Sequence, residues 1–326
     1  MNIYSPRIAI VGVTGYAGEE LDRLLRGHPA IRVGGRFASA SAGGESGVEA
    51  FSLDRLKDAA PDVVVLATEH DVSLTLVPQL VSEGYRVLDM SGAFRLSDSS
   101  LYPQWYGFSH TAPECLSESV YGLAEFAAES VRTAKVVANP GCYATAALLP
   151  LLPLFRAGAI DLGSVVVVDG KSGVSGAGRK PKPETHFCAV SENIRAYGVL
   201  KHRHTPEMVT HLPGAAFERF IFTPHLIPIR RGILNTIVVR HTDRASVQSI
   251  LADTYAHAPF VKILTGGRLP EVHDVAWTNN CHIGVVSEGE TSVIVSAIDN
   301  LGKGAAGQAV QNLNSMLGCE PGAGLL

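Results

Sequence analysis

The chain has 326 residues, enough for about two domains of roughly 150 residues each. Hydrophobic residues make up 46% of the sequence and charged residues 18%, and this composition excludes a disordered or fibrous protein. The formal net charge is −4 without a long run of one sign, so neither nucleic acid nor an acidic membrane surface is expected as a partner.

The start of the chain and its cysteines indicate the cellular compartment. The chain enters a strand-like run without a signal peptide, and no later stretch offers about 20 consecutive apolar residues. No CxxC pair occurs among Cys115, Cys142, Cys188, Cys281 and Cys319. We therefore expect a cytoplasmic protein without a membrane span, a disulfide framework or a zinc site.

The first half of the chain alternates between strand-like and helix-like segments. Strands are predicted at 7–13, 31–37, 62–67, 86–89 and 136–138. Helical patterns begin near residue 19 and at residue 72. This alternation predicts an α/β fold with a Rossmann-type, doubly wound parallel sheet.

A glycine turn follows the first strand and opens the first helix. Its glycines, Gly12, Gly15 and Gly18, are spaced G-x-x-G-x-x-G rather than the more usual G-x-G-x-x-G. In such a turn, backbone N–H groups and the helix dipole can bind a pyrophosphate. The candidate dinucleotide contacts are Gly12, Thr14, Gly15, Tyr16, Ala17 and Gly18.

The end of the second predicted strand bears on the choice of coenzyme. An NAD site usually has an Asp or Glu there, which binds the ribose hydroxyls. This strand is followed by Arg36, Ser39 and Ser41 and offers no carboxylate. A cation and small hydroxyl groups suit a 2′-phosphate, so the sequence favours NADP.

Cys142 stands where the last strand of this half gives way to an apolar helix at 143–155. A thiol at a helix N-terminus feels the positive end of the helix dipole, which lowers its pKa below about 8.5 and raises the thiolate fraction. Cys142 is therefore the candidate nucleophile, whereas Cys115 and Cys281 lack this placement.

The second half is richer in strands. The predicted strands are 164–169, 219–223, 234–241 and 292–299. They predict an α+β catalytic domain with a mixed sheet at 142–301. A final helix at 302–317 carries small residues on one face, and we expect it to return to the first domain, which then comprises 1–141 and 302–326.

Two polar stretches of the second half supply candidate site residues. The run from Lys171 to Lys180 combines glycines with cations and could hold a phosphate or carboxylate, for instance through Arg179. The run from Lys201 to Glu207 offers acid/base groups, cations and a carboxylate. Its His-x-His pair lacks a third ligand at a recognisable spacing, so no metal is expected.

Together these motifs resemble the N-acetyl-gamma-glutamyl-phosphate reductase family, the NADPH-dependent acyl-phosphate reductases of arginine biosynthesis. The resemblance runs nearly end to end. It rests on residues 12–18, on Pro140-Gly-Cys-Tyr-Ala-Thr145, on Ser172-Gly-Val-Ser-Gly-Ala-Gly-Arg179, on His202-Arg-His-Thr-Pro-Glu207 and on Lys303-Gly-Ala-Ala-Gly-Gln-Ala-Val310.

The resemblance implies roles for these residues. Cys142 would be the nucleophile and His204 the acid/base, with His202 as the alternative. Further cofactor contacts would be Ser172, Gly173 and Asn300. Substrate contacts would be Asn139, Ser175, Arg179, His202, Arg203 and Glu207. It also implies a semialdehyde-dehydrogenase-type second domain, a small-molecule substrate and a homo-oligomer, either a dimer or a tetramer.

The chain departs from the family pattern at three places. Ala93 stands where the family often has Asp, Glu69 where it has Pro before His, and Ala124 where it has Pro before Glu. Two other functions remain open at this point. One is reduction of the homologous aminoadipyl phosphate of lysine biosynthesis. The two substrates differ by a single methylene, and a binding pocket discriminates one methylene by only about 1–3 kcal/mol. The other is a non-catalytic NADP-binding sensor.

Overall fold

Two units make up the chain in the computed structural model, which describes residues 5–38, 47–242 and 246–326. The first unit comprises residues 1–141 and 305–326, and the second comprises residues 142–304. The second unit thus includes Gly302, Lys303 and Gly304, which the sequence had assigned to the first. The reason is local packing, because Gly304 lies against Cys142 and its N–H donates to the Asp299 carbonyl at 2.9 Å.

A parallel sheet forms the centre of the first unit. Its strands are β1 (Arg7–Val11), β2 (Arg32–Ala38), β3 (Glu49–Ala50), β4 (Val63–Leu66), β5 (Arg86–Asp89), β6 (Val120–Tyr121) and β7 (Val136–Ala138). Among the described residues the strand order is β3-β2-β1-β4-β5-β7-β6, and every pair is parallel. The Rossmann-type fold predicted from the sequence is confirmed.

Helices cover both faces of this sheet. They are α1 (Tyr16–Arg26), α2 (Leu53–Ala59), α3 (His70–Ser82), α4 (Tyr102–Tyr106), α5 (Pro113–Ser117), α6 (Ala124–Thr133) and α11 (Gly307–Leu317). Successive residues of β1 enter different cores, since Ile8 and Ile10 belong to one cluster and Ala9 and Val11 to the other. Burial on both faces explains why the strands read as unbroken apolar runs. The cluster around Ile8 also contains residues of α11.

A mixed sheet forms the centre of the second unit. Its strands are β8 (Val166–Gly173), β9 (Arg195–Ala196), β10 (Phe220–Ile227), β11 (Ile233–Arg240), β12 (Val261–Ile263), β13 (Cys281–Glu288) and β14 (Thr291–Ile298). The described strands are ordered β12-β13-β14-β11-β8-β10-β9. Two pairs, β8 with β10 and β12 with β13, are parallel, and the other pairs are antiparallel.

Three helices of the second unit pack on its sheet or on one another. They are α7 (Cys142–Arg156), α9 (His204–His211) and α10 (Val247–Thr254), whereas the short helix α8 (Phe187–Val190) buries none of its residues. Helix α7 lies against β11 and β14, and α9 and α10 pack on α7. The start of α7 is thereby held close to the start of α9. Within the described parts of the chain, no helix is long and apolar enough to cross a bilayer.

Candidate active site

The glycine turn of the first unit has the backbone geometry of a dinucleotide-binding loop. Gly12 has φ +90°, and a Cβ there would lie 2.4 Å from the Ala67 carbonyl oxygen. A Cβ at Gly18 would lie 2.3 Å from the Gly12 oxygen, so both positions exclude side chains. Gly15 is the N-cap of α1 and supplies no side chain to cap the helix. The turn with Thr14, Tyr16 and Ala17 thus fits an anionic pyrophosphate at a helix N-terminus.

Arg36 lies on β2 and is held by a residue that the sequence had not indicated. Its Nε donates to Asp22 Oδ1 at 2.7 Å, and Asp22 is a buried residue of α1. Asp22 also accepts from Arg26 Nε at 3.0 Å. The carboxylate near the end of β2 therefore comes from the helix and not from the strand. Ser39 and Ser41, the other predicted contacts, lie outside the described residues.

Cys142 is the first residue of α7 and is half-buried. The next residue, Tyr143, anchors this helix start, because its O–H donates to the His225 carbonyl at 3.0 Å. Asn235 Nδ2 donates to the Tyr143 carbonyl at 3.3 Å from the sheet below. The thiol thus stands at the positive end of a helix whose first turn is fixed to two strands.

Both candidate histidines pack against Tyr143. The ring centroids of His202 and His204 lie 5.8 and 6.1 Å from that of Tyr143, and 4.8 Å from each other. The His204 N–H donates to His202 Nδ1 at 3.1 Å, which leaves the proton of a neutral His202 on Nε2. Burial, and secondly the Arg203 charge, lower the pKa of His202 to about 3. His202 is therefore neutral near neutral pH.

His204 is the first residue of α9, and its side chain is buried. Its Nε2 lies 4.0 Å from Oε2 of Glu207, one turn further along the helix. Glu207 is completely buried, so solvent screens the interaction of its carboxylate with the histidine only weakly. At this distance the pair interacts electrostatically and not through a hydrogen bond.

Tyr197 also belongs to this cluster, although the sequence did not single it out. Its O–H donates to the Tyr143 oxygen at 3.4 Å, and its ring lies 5.5 Å from that of His202. Burial raises the pKa of Tyr197 to about 12, and the charge of a Cys142 thiolate adds to the rise. The phenol is thus protonated near the thiol. Its only signal in the sequence was an aromatic residue just ahead of the histidine pair.

The end of β8 and the loop after it bring several predicted residues together. Ser172 is buried and its O–H donates to the Gly173 carbonyl at 3.1 Å. Asn300 Nδ2 donates to Ser175 Oγ at 2.9 Å. Arg179 is exposed, as is Arg203 before α9. The second unit therefore holds exposed cations in both predicted polar stretches.

Asn139 lies in the first unit and is buried there. Its Nδ2 donates to the Ala305 carbonyl at 3.1 Å, and its Oδ1 accepts from Asn312 Nδ2 at 3.1 Å. Its backbone carbonyl accepts from Arg95 Nε at 2.8 Å. These contacts tie the segment after β7 to the C-terminal part of the same unit.

Comparison with known proteins assigns both units. Residues 7–134 match the family model described as "Semialdehyde dehydrogenase, NAD binding domain", and residues 142–300 match "Semialdehyde dehydrogenase, dimerisation domain". A relative in Desulforudis audaxviator (strain MP104C) is 44% identical and covers 98% of each chain; it is named N-acetyl-gamma-glutamyl-phosphate reductase. Relatives of the same name in Neisseria meningitidis (40% identical, 98% of this chain and 96% of the other) and Magnetococcus marinus (43%, 96% and 95%) are similarly close.

Solved structures agree with the fold. Aspartate semialdehyde dehydrogenase II from Vibrio cholerae superposes with a TM-score of 0.73 at 18% identity, over 97% of this chain and 99% of the other. The Candida albicans aspartate semialdehyde dehydrogenase with NADP gives a TM-score of 0.66 at 16% identity, over 97% and 99%. These likenesses concern the arrangement of the elements alone.

Proposed function

The chain belongs to the N-acetyl-gamma-glutamyl-phosphate reductase family, and we propose that it reduces N-acetyl-gamma-glutamyl phosphate to N-acetyl-glutamate 5-semialdehyde and phosphate with NADPH. The observation that carries this proposal is Cys142 at the start of α7, with two histidine rings packed on the adjoining Tyr143. A nucleophile and an acid/base candidate thereby occur in one cluster.

The reaction begins at Cys142. Its thiolate attacks the acyl carbon of the substrate, a C–S bond forms, and the C–O bond to phosphate breaks with its electron pair leaving on inorganic phosphate. The positive end of the α7 dipole favours the thiolate before the attack. The product of this half is a thioester on Cys142.

The second half needs a reductant and a proton donor. A bound nicotinamide coenzyme supplies the hydride that reduces the thioester. His204 donates a proton to the resulting oxyanion and takes it back when the C–S bond breaks, which releases the aldehyde and the Cys142 thiolate. An imidazole can both donate and accept a proton, so one side chain serves both directions of transfer.

His204 is favoured over His202 for this role. The depressed pKa of His202 makes its protonated form rare near neutral pH, so it is a weak proton donor. Its Nδ1 already accepts the His204 N–H, which fits a residue that positions His204 and lines the site. Glu207 lies buried beside His204, with its Oε2 4.0 Å from Nε2, and offers a carboxylate partner for a positive charge on the imidazole.

Substrate binding is assigned to groups that reach solvent. The exposed guanidinium groups of Arg179 and Arg203 suit the phosphate and the carboxylate of the substrate, and Ser175 suits a polar contact nearby. We assign Asn139 to support of the segment after β7, since its amide is used within the first unit.

The choice of NADP over NAD rests on Arg36 at the C-terminal half of β2. Asp22 holds Arg36 through Nε, and the next residue of β2, Phe37, accepts the Gly12 N–H through its carbonyl, so Arg36 stands one residue from the glycine turn. We assign the 2′-phosphate to Arg36 together with Ser39 and Ser41, and the nicotinamide side to Ser172, Gly173 and Asn300. Equal kcat/KM with NADPH and NADH would contradict this assignment.

A homodimer through the second unit is the proposed assembly. A row of aliphatic side chains crosses five strands in register, and we call it the aliphatic row: Val286, Val293, Val238, Val167 and Ile221. All five are half-buried or exposed, with 47% exposure at Val286 and 37% at Ile221. The row lies opposite the face that carries α7, and a continuous apolar stripe of this kind suits a second copy of the chain.

Replacement of the nucleophile tests the function. Cys142→Ser should abolish NADPH-dependent reduction and phosphate release, while NADPH fluorescence should still report coenzyme binding, because the glycine turn is untouched. The matched control is Cys188→Ser at an exposed cysteine of the same unit, which should keep full activity. Retained activity in Cys142→Ser would remove this residue from the mechanism.

The same assay separates the alternatives. Turnover of the aminoadipyl homologue above that of the glutamyl substrate would reassign the pathway to lysine biosynthesis. Absence of both phosphate release and covalent labelling at Cys142 would leave a coenzyme-binding sensor.

A further inference from the structure

Asp299 is completely buried just after β14 and binds four groups from different parts of the second unit. Its Oδ1 accepts from the Leu301 and Gly302 N–H groups at 2.8 and 2.9 Å. Its Oδ2 accepts from the Trp277 N–H at 2.6 Å, and Arg231 Nε lies 3.0 Å from Oδ1 and 2.9 Å from Oδ2. A carboxylate with this many partners joins three loops into one rigid unit.

Two features indicate that Asp299 imposes the local conformation. Trp277 has φ +67°, which is uncommon for a residue other than glycine, and its N–H is bound by Asp299. The centroid of its ring lies 4.0 Å from the Arg231 guanidinium carbon. Asp299 thus binds the backbone of Trp277 and Arg231 packs on its ring. The hydrogen bonds offset the strain of this backbone conformation.

The same segment reaches the nucleophile through its backbone. The Gly304 N–H donates to the Asp299 carbonyl, and a Cβ at Gly304 would lie 2.8 Å from the Cβ of Cys142. On the other side, a Cβ at Gly302 would lie 2.4 Å from the Thr278 carbonyl oxygen. The segment from Asp299 to Gly304 is therefore clamped between Thr278 and Cys142.

Asn300 extends this arrangement to the loop after β8. Its Oδ1 accepts from the Gly232 N–H at 2.7 Å, and its Nδ2 donates to Ser175 Oγ. The Ser175 N–H donates to the Arg230 carbonyl at 3.2 Å. One short segment thus borders the nucleophile and holds a candidate substrate contact.

We infer that Asp299 and Arg231 are positioning residues of the reductase, which set the Cys142 side chain through Gly304 and Ser175 through Asn300. The catalytic role of Cys142 in this inference rests on the proposed function, whereas the positioning of its side chain does not. Loss of one partner would leave the other charge buried without compensation, and the segment would shift to relieve it. Covalent catalysis is sensitive to such a shift, because the thiolate must meet the acyl carbon in one orientation.

The first test is Asp299→Asn, which keeps the size of the side chain and removes its charge. We expect kcat to fall on the order of 10²-fold, as for a displacement of about 1 Å in a reacting group, with the coenzyme KM little changed. The control is Glu290→Gln, which makes the same change at an exposed ion pair with Arg240 at the other end of β14. It should behave as the wild type.

The second readout needs no substrate. The rate of alkylation of Cys142 by iodoacetamide, measured against pH by peptide mass spectrometry, should fall in Asp299→Asn, and its pH profile should move. The exposed Cys188 is an internal reference whose rate should not change. Wild-type alkylation of Cys142 together with retained kcat in the folded variant would overturn the inference.

Gly304→Ala keeps the test decisive if Asp299→Asn does not fold. It leaves every charge in place and adds one methyl group against Cys142. We expect slower alkylation of Cys142 and a lower kcat, and wild-type values of both would overturn the inference. If the wild-type chain fails to reduce the acyl phosphate, the proposed function fails, while the alkylation rates still decide whether the segment positions the thiol.

Discussion

The two histidines beside Tyr143 differ in how each is held. His204 is fixed as the first residue of α9 with Glu207 one turn away, whereas the His202 ring receives the His204 N–H on Nδ1. The first arrangement places a carboxylate beside the ring, whereas burial keeps the His202 ring neutral. Two histidines separated by a single residue thereby acquire different chemistry.

Removal of each ring should reveal this difference. His204→Asn is expected to lower kcat by about 10² to 10⁴, the range for a positioned general acid/base, and His202→Asn to lower it less. Parallel steady-state measurements of both variants check the assignment. A His202 variant more impaired than the His204 variant would reverse it.

His202 should also make the folded chain sensitive to acid. Its folded pKa of about 3 lies below the unfolded value of about 6.5, so the unfolded chain alone gains a proton as the pH falls between them. The stability that the neutral ring contributes is complete above about pH 6.5 and is lost as the pH falls toward 3. By about pH 5 the loss reaches at most about 2 kcal/mol.

His202→Gln should flatten this dependence. Denaturant unfolding at about pH 7 and at about pH 5 should show a smaller loss of unfolding free energy in the variant than in the wild type. The same substitution at the exposed His186 is the control. Equal losses in wild type and His202→Gln would contradict the burial of a neutral ring.

Among single residues, the sequence indicated those that belong to a local motif. It missed those whose role depends on contacts with distant parts of the chain. Cys142 and the histidines stand in recognisable runs, and Gly12 and Gly18 are required by steric contacts that their spacing implies. Tyr197, Asp299 and Arg231 carry no local pattern, because their importance comes from side chains and loops that are distant in the chain.

At the scale of the elements, one arginine of β5 binds backbone carbonyls at the C-terminal ends of both α6 and α11. Arg86 of β5 donates to the carbonyls of Met316 at 2.7 Å, Ala134 at 3.0 Å and Arg132 at 2.8 Å. Carbonyls at a helix end lack partners within the helix, and a cation there also meets the negative end of the dipole.

Arg86→Ala should therefore destabilise the protein. We expect the free energy of unfolding to fall by about 2–4 kcal/mol, since several charge-assisted hydrogen bonds are lost at once. The control is Arg132→Ala at the end of α6, where the side chain is 65% exposed and pairs with Glu129. Its loss should stay within about 1 kcal/mol, and an equal effect of both variants would argue against the shared cap.

Strand β13 and the start of the last helix show where the prediction of elements from sequence periodicity fails. Gly284 interrupts the apolar pattern of β13, because a Cβ there would lie 2.3 Å from the Arg268 carbonyl oxygen. The predicted helix at 302–317 begins instead with a π-helical turn at Gly302–Ala306 before α11. Both deviations come from close contact with distant backbone, which periodicity does not record.

For the whole molecule, the aliphatic row is the feature that bears on assembly. Val238 lies at its centre, on the strand between Val293 and Val167. Val238→Glu should convert the proposed dimer to a monomer, because a carboxylate at the centre of an apolar interface would be desolvated without a partner. Sedimentation velocity measures the change.

A matched control separates assembly from general damage. Val72→Glu adds the same charge at a valine that is 41% exposed in the first unit, and it should leave the assembly unchanged. A dimeric Val238→Glu variant would move the proposed interface away from this face.

The first unit takes its last helix from the far end of the chain. Ala309, Val310 and Leu313 of α11 complete the same cluster as Ile8 and Ile10. During synthesis on the ribosome, that apolar surface stays open until residues 305–317 have emerged, whereas residues 142–304 form a continuous segment that can fold earlier. In the nascent chain, it is therefore the N-terminal residues, synthesised first, that need to be shielded by chaperones, and not the residues synthesised last.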